Sequence, residues 1–254
     1  FHAGGAERLL SSVLEHSDHD TYEHMVLSLS SRSERLADIE RTLNIPYVSM
    51  NFSSKRYNLL RYIQCFFLIR NAKPDILKTW LPPSNIMGGI IGKLLAIPVI
   101  WGIHDALPVT RYTPSTRRQR FWSRFLPRAI VCCSQPVYDR CKDAGYNERL
   151  LKVISNGTDV KRFFPRPEGR KRIRVELGID ESALLIGMAA EYVPIKRHGY
   201  FLAAAKLFLA THPNTHFLLC GKDMTGDQAV LKKLIQVLEL EERVHLLGIR
   251  NDMA

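Results

Sequence analysis

The sequence is short of the features that mark several large protein classes. Its five cysteines, at 65, 132, 133, 141 and 220, contain no C-x-x-C pair, and Cys132-Cys133 falls inside an apolar run. An odd number without framework spacing argues against a disulfide scaffold and for reduced thiols in the cytosol, and no metal is assigned to them. No stretch reads as a signal peptide. The most apolar window, Ile86–Ile103, is interrupted by Lys93 and Pro98, so it reads as a buried helix and a buried strand rather than a membrane span. No G-x-G-x-x-G follows a strand-like run, which argues against a nicotinamide dehydrogenase. Short repeats and low-complexity segments are missing too. Acidic residues are scarce: 25 Asp and Glu stand against 36 Lys and Arg, for a formal charge of +11.

What is present fits a soluble enzyme with room for two cores: 254 residues, 46% hydrophobic and 24% charged. The basic excess is uneven. Lys and Arg number 23 against 14 Asp and Glu over residues 1–165, but 13 against 11 over 166–254. The first half therefore either meets something anionic or carries a basic surface with no partner. Phosphorylated substrates, anionic lipid headgroups and nucleic acid all qualify.

Short, β-branched, nearly unalternated runs mark strands at Met25–Leu29, Asp75–Thr79, Val99–Ile103, Ala129–Cys133 and Leu151–Ile154. Helical periodicity marks Ala6–Leu14, Leu59–Arg70, Ile86–Leu95, Arg117–Leu126 and Val137–Ala144. The second half repeats the style, with strands at Leu184–Met188, Thr215–Cys220 and Val244–Leu247 and helices at Gly199–Thr211 and Asp227–Leu238. Such alternation implies parallel βαβ units covered on both faces. The fold class is α/β, with two Rossmann-like domains, over 1–165 and 166–254. Polar Arg166–Arg174 reads as the linker. Both ends read as cut. Phe1–Gly5 opens in a loop with no strand before it, and the second half has too few strands for a complete doubly wound domain.

The hinge between the halves is Val153–Pro165. Asn156-Gly157 suits a positive φ and a sharp change of direction. Asp159 can accept local backbone hydrogen bonds, and Phe163-Phe164-Pro165 anchors the start of the second half. Two α/β halves about a hinge form a cleft, where ligands bind.

Several motifs could carry chemistry. Gly4-Gly5-Ala6-Glu7-Arg8 opens the first helix, where free amides attract phosphate; such a pair is also a common turn. Gly88-Gly89-x-x-Gly92 lies within a helical pattern and reads as close helix–sheet packing. His104 follows a buried strand, at the ligand edge of an open sheet. It is either a proton-handling group or a satisfied structural histidine. Asp18-His19-Asp20 spells D-x-D on the opposite edge and reads as a solvated turn. Lys196 precedes a helix entered through His198-Gly199, where a point charge could hold a diphosphate. Gly221-Lys222-Asp223 and Gly248 end the next two strands, so these residues describe one rim. Glu191 sits in the same loop, with Arg197 and His198 close enough in sequence to pair with it. Arg111–Arg128 holds six arginines, with Phe121, Trp122, Phe125 and Leu126 as an apolar stripe. That stripe faces either an anionic membrane or the core. Nucleic acid fits less well, because no recognition module appears.

In this order the pieces resemble the retaining glycosyltransferase family 4, of the GT-B architecture, as a fragment lacking the extreme N-terminus and the C-terminal donor-site segment. The carriers are Gly-Gly-Ala-Glu-Arg at 4–8, His104, Ser155-Asn156-Gly157-Thr158-Asp159 with Phe164-Pro165, and Pro194-x-Lys196 with Phe201-Leu202-x-Ala204. Phe217–Gly221 and Val244–Gly248 fit the next two strands. Glu191 departs from the pattern: the family places an arginine there, which neutralises the leaving diphosphate together with the lysine. The resemblance implies transfer of a sugar from a nucleotide-diphosphate donor to a hydroxyl acceptor, lipid-linked or glycan, with retention, as in polysaccharide biosynthesis. It implies His104 and Lys196 as catalytic residues. It places Gly4, Gly5, Asn156, Gly157, Glu191, Lys196, Gly221 and Gly248 at the donor. It implies no cofactor and no metal, since the cationic loop would replace one. It also implies a cytoplasmic enzyme, peripheral on the inner face of the membrane, and a fragment without activity of its own. The alternatives are a sugar-nucleotide-binding relative without turnover, which Glu191 favours, and a nucleotide-sugar epimerase of similar architecture.

Overall fold

The computed structural model describes residues 5–52, 59–104 and 114–253. The chain divides into two compact units, Phe1–Thr158 and Asp159–Ala254. Helices and strands alternate in both. The first unit runs α1 (Gly5–Glu15), β1 (Val26–Ser28), α2 (Glu34–Leu43), β2 (Tyr47–Ser49), α3 (Leu59–Ala72), β3 (Leu77–Trp80), α4 (Pro82–Leu95), β4 (Val99–Ile103), α5 (Pro114–Trp122), β5 (Ala129–Cys132), α6 (Gln135–Asp143) and β6 (Leu151–Val153). The second runs α7 (Pro167–Leu177), β7 (Leu184–Ala189), α8 (His198–Leu209), β8 (Thr215–Cys220), α9 (Ala229–Val237) and β9 (Val244–Leu246). All strand pairs are parallel, in the orders β1-β2, β3-β4-β5-β6 and β7-β8-β9. Parallel strands put all their carboxyl ends on one edge of each sheet, the edge where α/β proteins build sites.

Packing explains the glycines of α4. A Cβ on Gly88 would lie 2.6 Å from Thr79 Cγ2, one on Gly89 would lie 2.9 Å from Leu126 Cβ, and one on Gly92 would lie 2.2 Å from Val99 Cγ2. These residues let the helix seat directly on β3 and β4. The sheet core is Val99, Trp101, Ile130, Cys132, Val137, Cys141 and Leu151. Buried Asn85 ties the start of α4 to both strands: it accepts from Thr79 Oγ1 at 2.6 Å and donates to Gly102 O at 3.1 Å.

Four points of the sequence-based expectation are corrected or completed. Arg166–Arg174 is not a linker but most of α7. Pro167 stands in its first turn, and Gly178 closes it at φ 64°, the usual placement of these two residues. Arg174, buried, reaches forward past the helix end to donate to Asp180 O at 2.7 Å and Ala183 O at 2.9 Å. The guanidinium ties α7 to the carbonyls of the segment that follows it, so a residue read as linker is a buried part of the fold. Second, α2 and β2 are additional elements. Ser33 Oγ caps α2 by accepting from Leu36 N, Asn44 ends it at φ 55°, and Leu36 and Ile39 face the core. Third, α5 stops at Trp122, and the apolar stripe splits. Trp122 and Leu126 pack on the core, whereas Phe121 and Phe125 stay 57% and 58% exposed. Fourth, neither Asn156 nor Gly157 is among the described residues with positive φ. Asp159 does accept from Lys161 N and Arg162 N, at 2.9 and 3.2 Å. Phe163 and Phe164 do not anchor by burial; they are exposed, with Arg162 and Arg166 lying over their rings.

Asp18 forms the solvated turn expected of it. Its carboxylate accepts from Thr21 Oγ1 at 2.6 Å and from Asp20 N at 3.1 Å, and the Thr21 hydroxyl chiefly holds its pKa down. All five cysteines are free thiols. Among the described residues no helix is long and apolar enough to cross a membrane.

Candidate functional site

In the second unit the ends of β7, β8 and β9 are knitted into one rim by main-chain hydrogen bonds. Ala190 N donates to Cys220 O at 2.8 Å and Tyr192 N to Lys222 O at 3.0 Å. Gly221 N donates to Gly248 O at 2.7 Å, and Gly248 N to Met224 O at 2.8 Å. Glycine is required at two of these points. Gly221 takes φ 145°, and a Cβ there would lie 2.1 Å from Ala190 O; Gly248 takes φ 61°. Gly221, Gly248, Glu191 and Lys196 thus fall on one edge of one sheet.

Lys196 ends a single 3₁₀ turn, Pro194–Lys196, and α8 starts two residues later. Its N–H is held by Val193 O at 3.0 Å, and its side chain is exposed. Arg197 sits between them at φ 58°, an uncommon conformation for a side-chain-bearing residue. His198, only 3% exposed, packs its ring 5.2 Å from that of Tyr192, and its Nε2 has no protein partner. Burial, and then the charge of Lys196, lowers its pKa. A neutral ring therefore lies beneath a cationic loop.

Glu191 pairs with neither Arg197 nor His198. Its partner is Lys222 of the neighbouring strand end, Nζ to Oε1 3.5 Å, while Arg197 lies over the Tyr200 ring at 5.7 Å. Sequence proximity points to the wrong cations, because parallel pairing brings β8's end beside β7's from thirty residues away.

In the first unit the carboxyl edge of β3–β6 carries His104. Its ring stacks on Trp80, centroids 4.5 Å apart and planes within 10°. Register places Trp80 opposite Gly102, and a Cβ on Gly102 would meet His104 Nε2 at 2.7 Å and Lys78 Nζ at 3.3 Å. Lys78 Nζ stands 5.5 Å from the Trp80 ring. Burial of this amine pushes its pKa down to about 8, although the residue as a whole stays exposed. Lys78 and Trp80 belong to no motif in the sequence, yet their alternate spacing on a strand puts them on one face. Asn156 and Gly157, both exposed, follow β6 on the same sheet edge. Gly5 is the first residue of α1, with open space where its Cβ would be. Gly4 lies outside the described residues, as does Asp105, which follows His104 in the sequence. Among the described residues no group of three His, Cys, Asp or Glu could hold a metal.

Residues 3–162 match the family described as Glycosyltransferase Family 4, and residues 169–254 match Glycosyl transferases group 1. The Escherichia coli UDP-Gal:alpha-D-GlcNAc-diphosphoundecaprenol alpha-1,3-galactosyltransferase is 24% identical over 231 residues, covering 87% of this chain and 59% of its own length. The crystal structure of Anabaena Alr3699/HepE in complex with UDP-glucose superposes with a TM-score of 0.80 at 22% identity, over 98% of this chain and 66% of that one. The Neisseria meningitidis UDP-GlcNAc 2-epimerase bound to UDP-GlcNAc gives a TM-score of 0.63 at 14% identity, over 96% and 68%. The chain thus spans about three fifths of the length of the galactosyltransferase it matches. The likenesses to solved structures show a shared fold, the α/β architecture of two Rossmann-like units.

Proposed function

From the premise that this chain belongs to Glycosyltransferase Family 4, we propose that the whole protein transfers a sugar from a nucleotide-diphosphate donor to the hydroxyl of a lipid-linked or glycan acceptor, with retention. The observation that carries the reading is the glycine-locked rim with Lys196 on its loop. A rigid backbone edge with a cation beside a helix start offers fixed positive charge to a diphosphate. Sugar transfer requires charge building on the leaving phosphate to be met by groups already in position. Lys196 and the amides around Gly5 are assigned that task, and His104, braced by Trp80, is assigned to the transferred sugar or the acceptor. The galactosyltransferase that the chain resembles takes UDP-Gal and a diphosphoundecaprenol acceptor by its name, which supports a uridine donor and a lipid-linked acceptor. No metal is needed in this scheme.

Peripheral membrane contact belongs to the same proposal. Phe121 and Phe125 are exposed with rings 5.9 Å apart, among exposed Arg117, Arg118, Arg120, Arg124 and Arg128. Aromatic and cationic groups together suit an anionic lipid surface. The likeness to the epimerase keeps one rival reading, reversible epimerisation of the nucleotide sugar itself.

The test is incubation of the whole protein with radiolabelled UDP-sugars and lipid extract. Label in the lipid fraction with the anomeric configuration kept is the expected result. Label recovered only in a new nucleotide sugar would favour the epimerase. Label recovered as intact UDP-sugar bound to the protein would favour the binder without turnover.

A further inference from the structure

We propose that Lys222 is a second cation of the donor-diphosphate site, held by Glu191 until the phosphates replace it. The inference rests on the nucleotide-sugar reading above. Glu191 follows β7 and Lys222 follows β8, and these strands pair in register up to Ala189 opposite Cys220. The bonds from Ala190 N to Cys220 O and from Tyr192 N to Lys222 O continue that ladder past the strand ends. Both side chains therefore leave one locked edge side by side, and Glu191 opens the loop that ends at Lys196.

The pair is loose. Its separation is 3.5 Å, with side chains 33% and 45% exposed, against about 2.8 Å for a well-made charge-assisted hydrogen bond. Exposed pairs of this kind contribute little to stability. Lys222 is thus held near the rim at small cost to release. A diphosphate carries more negative charge than one carboxylate and would outcompete Glu191 for the ammonium. Lys, a flexible point charge, suits such an exchange. Glu191 then has a defined effect: it neutralises Lys222 in the empty site and weakens donor binding without abolishing it.

A double-mutant cycle on the whole protein, read by calorimetry with UDP and in parallel GDP, tests this. Lys222→Met is expected to weaken binding of the preferred nucleotide about tenfold, the scale of one hydrogen bond to a charged group. Its nucleoside should bind unchanged. Glu191→Gln is expected to tighten the nucleotide several-fold. The deciding arm is Lys222→Met in the Glu191→Gln background. If Lys222 contacts phosphate, affinity falls about tenfold again. If Lys222 only neutralises Glu191, that step changes nothing, and the proposal is overturned. Lys222→Arg should keep affinity within about threefold; a loss as large as that of Lys222→Met would also count against it. Failure of the underlying reading looks different. Either neither nucleotide binds the wild-type protein, or Lys196→Ala leaves binding untouched.

Discussion

The two units build their carboxyl edges by different means. The first places side chains there: Lys78, Trp80 and His104 meet over β3 and β4, braced from behind by buried Asn85. The second fixes main chain there, through glycines at positive φ and hydrogen bonds between successive strand ends, and leaves its cations on exposed loops. Their interiors differ in the same sense. Among the described residues the first unit holds three clusters of buried apolar residues, and the second holds one, around Leu202, Phe217, Leu219 and Leu231. A main-chain rim with exposed cations beside it suits a ligand recognised by its phosphates. A ring stack suits a ligand recognised by its shape.

The widest way to break that comparison is at the cations. Lys196→Ala in the whole protein is expected to lower sugar transfer by roughly two orders of magnitude or more, the cost of removing one stabiliser of developing charge. Single-turnover kinetics would show it, and near-normal rates would take Lys196 out of the site.

The glycines sharpen the contrast between main chain and side chain. Gly221→Ala forces a Cβ to within 2.1 Å of Ala190 O at φ 145°. Neither backbone can yield cheaply, so about 3 kcal/mol of the second unit's stability should be lost. Gly92→Ala meets a buried Val99 methyl at 2.2 Å and Ile97 O only at 3.0 Å, so its severe clash is with a side chain rather than backbone, and it gains helix propensity of up to about 1 kcal/mol. A loss nearer about 1–2 kcal/mol is expected in the first unit. Urea unfolding of both variants, followed by circular dichroism, measures the difference. Equal losses would mean that the rim is not rigid.

Acid should separate the units next. His198, His216 and His245 in the second unit all have pKa values lowered, chiefly by burial, whereas His24 is the described histidine of the first unit so affected. His216 and His245 share a hydrogen bond of 3.0 Å, with Arg243 Nη1 3.3 Å from the far nitrogen of His216. A histidine whose folded pKa lies below its unfolded value binds fewer protons in the native state. Its stabilisation is complete above the unfolded pKa near 6.5 and is lost as pH falls from there through the folded value. The second unit should therefore weaken first on acidification. All three tryptophans, Trp80, Trp101 and Trp122, lie in the first unit. Helical dichroism should fall at a higher pH than the tryptophan emission maximum shifts. Coincident transitions would refute the difference.

How far each edge is legible in sequence obeys the same division. Strand existence is plain, because buried parallel strands are short β-branched runs, and Val99–Ile103 and Thr215–Cys220 agree with the structure to the residue. The glycine rim is legible as well, since Gly221 and Gly248 close apolar runs. What escapes depends on partners distant in the chain. The Glu191–Lys222 pair is set by strand register, and the helical role of Arg174 by carbonyls beyond its own helix. His104 is legible as a strand-end residue, but its stacking partner Trp80 lies on another strand. A local reading finds the elements and loses the pairings between them.

The smallest expected effect concerns Lys78, the first unit's counterpart to Lys222. Burial pushes its pKa down to about 8, against an ordinary value of 10.5. The charged amine is therefore a cost to the folded state at neutral pH. Lys78→Met keeps the apolar stem and removes the charge. Because the side chain remains partly exposed, solvent screens much of that cost, and the gain at pH 7 should be about 1 kcal/mol or less. The sign also predicts its pH dependence. Between about 8 and 10.5 the unfolded state holds more protons than the native state, so wild-type stability rises with pH across that window. The advantage of Lys78→Met should then shrink from pH 8 upward and vanish near pH 10.5. Urea unfolding read by tryptophan emission, which reports this unit alone, provides the measurement. A variant less stable than wild type at pH 7 would mean that the ammonium is held by interactions that outweigh its burial.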